Sequence, residues 1–465
     1  MKARELNNLG IPVGPVMKQA LRLIGEAAKA GLKKEEIRTA LRELAADPAA
    51  YLQHPQFGEL AAALTASETA RARYEHRAEP ARWRQWGTDV EAGAIQQMEN
   101  ACKLPVAVRG ALMPDAHLGY GLPIGGVLAV REAVIPYAVG VDIACRMKLT
   151  VLDLPVSTLR GQQEWLTRAI NEETRFGVGA EFRNRRAHGV LDEDWSVTPV
   201  TAERKDKAWS QLGTSGSGNH FVEFGELILP KADLGLEAGT YLALLSHSGS
   251  RGTGACVADH YSKLAMRLHP ELPKELMHLA WLDLASEEGQ EYWRAMQLMG
   301  RYAAANHELI HRHIARHLSA RVLLDIENHH NFAWREVHDG QEVIVHRKGA
   351  TPAGTGVLGI IPGSMGTPGF IARGLGEPAS LNSASHGAGR RMSRKAATAC
   401  FTWHEVKKFL KEHGVTLLSA GLDEAPMAYK DIALVMAAQA GLVQPIARFE
   451  PRLVKMAPAG ERPED

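Results

Sequence analysis

The chain has 465 residues, with 54 Lys and Arg against 53 Asp and Glu, a formal net charge of +1, and 45% hydrophobic residues. That length exceeds one ordinary core and provides for two or three structural units. Near-neutral charge excludes indiscriminate polyanion binding, although local patches can still hold phosphates.

No apolar run is long enough to span a bilayer, so no membrane partner is expected. The opening MKARELNNLG lacks the apolar centre of a secretory signal, and a cytoplasmic location is expected. Cys102, Cys145, Cys256 and Cys400 are scattered and form no CxxC pair, which indicates neither a disulfide framework nor a zinc knuckle.

In chain order, residues 15–80 read as helices. VMKQALRLIGEAAKAG and KKEEIRTALRELAAD carry apolar residues at helical spacing and end at Gly or Pro signals. From Trp83 the pattern changes to short aliphatic runs broken by glycines, alternating with longer helical stretches. YLALLS, Tyr241 to Ser246, reads as a buried strand entering the glycine loop HSGSRGTG and then a helix. A long helical pattern opens at Ser286, a suitable N-cap.

Within that long helix, HELIH, His307 to His311, fits the His-Glu-x-x-His pattern of a zinc peptidase. A third ligand at a peptidase-like spacing is absent, so the expectation is a partly exposed, His-rich helix end, with the peptidase kept as a minor alternative. GTGVLG, Gly354 to Gly359, fits GxGxxG but leads into IIPG rather than a helix, and is read as a loop. The basic runs RNRR, Arg183 to Arg186, and RRMSRK, Arg390 to Lys395, are candidate phosphate contacts or solvated surface.

A set of glycine-flanked polar motifs carries more chemistry: MPDAHLGYG, VGVDIACRM, GSGNHFVE, SHSGSRG, ENHHNF, VHRKGAT, IPGSMG and SHGAGR. Each places Asp, Cys, His or Asn where the backbone turns sharply and comes close to a ligand. Asp142, Cys145, His220, His247 and His330 are candidate metal ligands, enough for two ions if one residue bridges. Carboxylate, thiolate and imidazole together suit a divalent transition metal, and by residue type alone zinc is favoured.

In this order over residues 85 to 455, and with DEAPMAYKD following, the motifs resemble the RtcB family of GTP-dependent RNA ligases, in its bacterial form. The resemblance implies an α+β fold with a mixed β-sheet core surrounded by helices, over an RtcB-type catalytic domain at 85–465. Residues 1–84 are then a helical N-terminal extension. It implies GTP and two manganese ions as cofactors, with Cys145 bridging one ion held by His220 and His247 and another held by Asp142 and His330.

His386 in SHGAGR is implied as the nucleophile that takes up GMP. The guanylate pocket would use Asn219, His220, Phe221, Val222 and Glu223, then His330 and Asn331, and Pro362, Gly363, Ser364 and Met365. Gly369, His386, Gly387, Ala388, Gly389, Tyr429 and Lys455 would complete it, with Arg251 and Arg390 meeting RNA phosphates. The implied reaction joins RNA 3′-phosphate or 2′,3′-cyclic phosphate ends to 5′-hydroxyl ends, in tRNA splicing or RNA repair, with archease as a potential helper.

Four positions depart from the family pattern. Arg146 follows the bridging cysteine where glycine is expected, Gly369 stands where a serine is usual, TSGSGNH replaces TLGSGNH, and VKM replaces a terminal VKG. Arg146 either places a positive charge beside the metals or turns outward. Arg146 and Gly369 motivate a rival reading, a catalytically weakened RNA-end binding protein.

Overall fold

The computed structural model describes residues 5–6, 9–11, 15–71, 77 and 79–460. Among the described residues, the helices Pro15–Lys29, Lys34–Ala46 and Gly58–Arg71 make up the N-terminal region. Their apolar stripes meet in a cluster of their own, with Leu23, Ala27, Leu41, Leu44, Phe57 and Leu60 buried together. Residues 72–76 and 78, at the end of the stretch read as helical, lie outside the described residues. The first strand, Trp83–Gln85, pairs in parallel with Ala107–His117 and spans the expected boundary between residues 84 and 85.

Two large sheets carry most of the rest, with two-stranded pairings of Ala350–Pro352 with Ser383–Ser385 and of Ala133–Val134 with Leu282–Asp283 beside them. In spatial order, the five-stranded sheet runs Trp83–Gln85, Ala107–His117, Ile124–Val130, Gln341–Lys348 and Asn331–His338. The eight-stranded sheet runs Leu358–Ile361, Gly369–Gly374, Val443–Met456, Phe221–Leu229, Gly239–Ser248, Arg146–Leu152 and Val322–His329, with Thr416–Ser419 added beside Val443–Met456. The larger sheet curls until its edges almost meet: Asn328 accepts from Ile360 N at 2.9 Å and donates to Ile360 O at 3.5 Å. This is the mixed sheet core with surrounding helices that the sequence implies.

Period-two alternation decides what each face of the curled sheet meets. Met147, Leu149 and Val151 point inward with Leu227, Leu245, Ile326, Ile360 and Phe449 to fill the interior. Their neighbours Arg146, Lys148 and Thr150 point outward to Glu327, Asp325 and His311. Against that outer face lies the helix Glu287–His317, whose N-cap Ser286 accepts from Gly289 N at 3.1 Å. Ile310 and Ile314 of this helix pack with Val222, Leu242 and Leu244.

Register then places the chemistry. Arg146 sits opposite both Ser248 and His329, and Phe221 sits opposite His247. Cys145, His220, His247 and His330 therefore share one rim of the curled sheet, although up to 185 positions separate them in the chain (330 − 145 = 185).

Candidate active site

Five donors converge at that rim. Cys145 Sγ lies 3.1 Å from His247 Nε2 and 3.4 Å from His220 Nε2. His247 Nε2 lies 3.2 Å from His330 Nε2, and His220 Nε2 lies 3.0 Å from Asp142 Oδ2. Backbone geometry fixes the cluster. Ala144 takes a left-handed conformation at φ 58 and donates to Asn331 O at 2.6 Å, and His330 N donates to Cys145 O at 3.0 Å. Ser250 N donates to Asp142 Oδ1 at 3.0 Å.

The outer contacts orient the rings. His247 Nδ1 lies 3.1 Å from Asn219 O, donates to it and turns a lone pair inward, whereas His220 Nδ1 lies between Ser215 O at 3.0 Å and Arg251 Nη1 at 3.1 Å. Burial pulls His247 down to about 3, with the neighbouring His220 adding, and pulls His330 well below its ordinary value. Burial would raise the Asp142 carboxyl, but its bond to His220 and the nearby Arg251 hold it at about 2. Three imidazoles, a carboxylate and a cysteine sulfur within these distances are a donor set that fits divalent cations.

Two groups of three have ligand atoms all within 4.8 Å of one another: Cys145, His247 and His330, and Asp142, Cys145 and His220. Cys145 belongs to both, as a bridging residue must. The histidines divide differently from the family-implied partition, with His220 beside Asp142 and His247 beside His330.

Next to the cluster stands His386, its ring centroid 5.0 Å from that of His330. Asp115 Oδ2 accepts from His386 Nδ1 at 2.7 Å and from the amides of His386 and Gly387 at 3.1 and 3.3 Å. The carboxylate, fully buried, thus fixes the imidazole and leaves Nε2 to act. Gly389 permits the approach: at φ +71, a Cβ there would stand 2.0 Å from Asp115 O. Asp115 lies inside MPDAHLGYG, but no role for it was read from the sequence, because its partner is 271 residues away.

All these groups open on one cleft of about 510 Å³. Of the residues expected at the site, all but Val222, Arg251 and Lys455 line it. Val222 is turned by strand alternation onto the opposite face, into the helix-side core, while Phe221 and Glu223 face the cleft. Lys455, opposite Val222 in register, follows it: its Nζ bonds Asn171 and lies 5.1 Å from the Phe176 ring. Arg251 is 2% exposed, with Nη1 3.1 Å from His220 Nδ1, behind the cluster rather than on the wall.

Arg390 lines the cleft but its guanidinium is engaged by Asp423 O at 2.7 Å, by Glu424 at 3.4 Å and over the Tyr429 ring. Gly369 and the Pro362 to Met365 turn form part of the wall, where Ser364 Oγ and Thr367 Oγ1 are 2.9 Å apart. Burial pushes the Glu223 carboxyl well above its ordinary value. Asn331 spends its side chain on the backbone, donating to Asp142 O at 3.3 Å and accepting from Gly349 N at 2.8 Å.

Arg146 turns outward. It donates to Glu327 Oε1 at 3.0 Å, Gly300 O at 2.9 Å and Ala144 O at 3.4 Å, which takes its charge away from the donor cluster. HELIH also resolves against a metal. His307 and His311 are buried, not partly exposed as expected, and share Ser246 Oγ at 2.8 Å each. Glu308 faces the other way, to His188 and Arg312. RNRR divides: Arg183 and Arg185 are exposed, with Arg185 on Asp206, while Arg186 is buried against the Phe182 ring and paired with Glu173.

A buried cluster of metal-ligand type beside a carboxylate-oriented imidazole, opening on one cleft, has the make-up of an enzyme active site. The family model described as "tRNA-splicing ligase RtcB" matches residues 97–198 and 187–456. The chain is 34% identical over 405 residues to the RNA-splicing ligase RtcB of Escherichia coli strain K12, covering 77% of this chain and 93% of that protein. It is 31% identical over 436 residues to the tRNA-splicing ligase RtcB of Thermococcus kodakarensis, covering 77% and 89% respectively. The chain belongs to the RtcB family of RNA-splicing ligases. Among the described residues, no helix is long and apolar enough to cross a membrane.

Proposed function

We propose that this RtcB-family ligase joins RNA 3′-phosphate or 2′,3′-cyclic phosphate ends to 5′-hydroxyl ends, using GTP and a GMP adduct on His386. The observation that carries the reading is the Asp115–His386 hydrogen bond. It turns Nδ1 toward the carboxylate and leaves Nε2 as the nitrogen available at the cleft beside the five-donor cluster.

His386 Nε2 attacks the α-phosphorus of GTP; the N–P bond forms, the α–β anhydride bond breaks and pyrophosphate leaves. An oxygen of the RNA 3′-phosphate then displaces His386, giving an RNA–GMP anhydride. The 5′-hydroxyl attacks that activated phosphate, loses its proton and expels GMP. A cyclic phosphate end is hydrolysed to the 3′-phosphate beforehand. Asp142, Cys145, His220, His247 and His330 would hold two manganese ions, whose chemistry is to neutralise phosphate charge and polarise phosphoryl oxygens. Asp115 keeps His386 oriented through each transfer, Glu223 offers a buried carboxyl to the guanine edge, and Tyr429 offers a ring.

The reading is tested by incubating the protein with α-labelled GTP and manganese, with archease added, and resolving it on a denaturing gel. A labelled band lost in His386→Ala supports the adduct. A band that persists in His386→Ala, or ligation by that variant at the parent rate, overturns it. The weakened-binder alternative loses one of its motives, because Arg146 is tied to Glu327 and Gly300 and stands clear of the donors.

A further inference from the structure

We propose that Tyr120 is a stacking platform for a nucleobase of the single-stranded RNA whose end is being joined. The inference rests on the RNA-ligase reading and adds a recognition element to it.

Tyr120 stands in the LGYGLP loop between the strands Ala107–His117 and Ile124–Val130, and Leu118, Gly119 and Tyr120 all line the cleft. It is 68% exposed and Leu118 is 53% exposed, among the most open large apolar side chains described. Large rings left in solvent at the mouth of a binding cleft mark a contact surface.

The loop is rigid where it matters. Gln97 brackets Gly119, donating to its carbonyl at 2.6 Å and accepting from its amide at 3.1 Å. Lys348 Nζ donates to the Tyr120 carbonyl at 2.6 Å. Gly121, at φ +70, brings the chain down onto His278, where a Cβ would stand 2.7 Å from His278 O. The ring is buttressed by His278 at 5.7 Å and 69° and by Tyr137 at 6.5 Å and 53°. A fixed backbone and inclined neighbouring rings present an aromatic surface that is already ordered, so a base that stacks there meets little further ordering cost.

Position identifies the occupant. Lys348, which holds the loop, is followed by Gly349, and a Cβ on Gly349 would stand 3.2 Å from Cε1 of His386. Lys348 thus ties the Tyr120 backbone to the segment that abuts the proposed nucleophile, and Tyr120, its neighbour Tyr137 and His386 all line the one cleft. The guanylate residues Glu223 and Tyr429 belong to other elements of the same cleft. An RNA end placed at His386 has its own base within the cleft, and the exposed Tyr120 ring suits a base of any sequence, since every base offers a π face.

The test is equilibrium binding, which requires no chemistry. Fluorescent single-stranded RNA hexamers, one set ending in a 3′-phosphate and one in a 5′-hydroxyl, are titrated by anisotropy into the parent, Tyr120→Ala and Tyr120→Phe. Each hexamer is made with and without an abasic terminal nucleotide. We expect Tyr120→Ala to weaken one set by about tenfold, Tyr120→Phe to stay within about twofold of the parent, and the abasic hexamer to bind both alike. The set that responds identifies which strand is stacked.

Equal affinity of parent and Tyr120→Ala for both sets overturns the platform, whether or not the parent ligates. A loss confined to GTP binding overturns it too, because the ring would then belong to the nucleotide pocket. Failure of the parent to join RNA ends or form a GMP adduct counts separately against the ligase reading.

Discussion

Asp115 and His386, 271 residues apart, share a 2.7 Å hydrogen bond from the imidazole Nδ1 to a fully buried carboxylate. That bond dictates which nitrogen reacts. Asp115→Asn keeps the shape of the side chain but offers no comparable acceptor for Nδ1–H, and its amide can donate to the ring and reverse the tautomer. Adduct formation with labelled GTP in single turnover should slow by roughly a thousandfold or more, the order seen when an orienting carboxylate is lost. An Asp115→Asn protein that loads GMP at the parent rate would remove Asp115 from the mechanism.

Cys145 is shared by both donor triads, whereas Asp142 belongs to one. Two manganese ions per chain are therefore expected in the parent after equilibration and gel filtration. Metal analysis should find almost none in Cys145→Ala and about one in Asp142→Ala, since the second triad stays complete. Equal retention by the two variants would rule out a bridging cysteine. Manganese should also raise the melting temperature of the parent by mass action, and a chelator should reverse that rise.

Arg146 was expected either to burden the metal site or to turn outward, and it turns outward into a polar pocket of its own. Its guanidinium serves the carbonyls of Gly300 and Ala144 and the carboxylate of Glu327. Arg146→Ala leaves buried acceptors without donors and should destabilise the fold by about 1–3 kcal/mol, read by urea denaturation. Restoring glycine at this position should do the same rather than improve ligation. Faster ligation by Arg146→Gly at unchanged stability would revive the view that the charge disturbs the cluster.

How far the sequence carried this reading follows from the kind of information each residue needed. Cys145, His220, His247 and His330 were legible because each sits in a long glycine-flanked motif at a strand end, where chemistry collects. Phe221 and Glu223 could have been separated from Val222 by strand alternation alone, a signal present in the string NHFVE. Asp115 was not legible as a partner, since a hydrogen bond across 271 positions exists only after the strand Ala107–His117 and the turn that follows Ser383–Ser385 are placed together. The burial of His307 and His311 was equally hidden: their partner Ser246 lies on a distant strand, and a helical period shows a face but not what covers it.

HELIH therefore yields a stability prediction in place of a catalytic one. His311 joins Ser246 Oγ to Thr150 Oγ1, at 2.8 and 2.7 Å, between the long helix and the sheet. His311→Ala should cost about 2–4 kcal/mol through the cavity and the unsatisfied hydroxyls, whereas Glu308→Gln, on the exposed face, should change stability by less than about 0.5 kcal/mol. Denaturation of the two variants decides it. Loss of RNA joining in Glu308→Gln at full stability would return chemistry to this helix.

Cys102 gives the fold a defined alkaline weakness. Its side chain is buried among Met98, Leu104 and Leu112, and burial pushes the thiol up to about 12, with Arg77 opposing the shift. The sign follows from proton counting. Between an ordinary value of 9.0 and about 12, the unfolded chain releases the proton while the native chain keeps it, so stability falls as pH rises across that window. Below pH 9 both states hold the proton and the effect vanishes. Cys102→Ala removes this titration, so the parent's unfolding free energy should fall more steeply than the variant's from pH 9 upward, by up to about 1.4 kcal/mol per pH unit. Urea titrations of both proteins at pH 8, 9 and 10 measure the two slopes. Parallel lines would show that Cys102 ionises as readily inside the protein as outside. Native-state labelling offers an independent reading, with exposed Cys400 reacting with a thiol reagent and Cys102 staying protected until the chain unfolds.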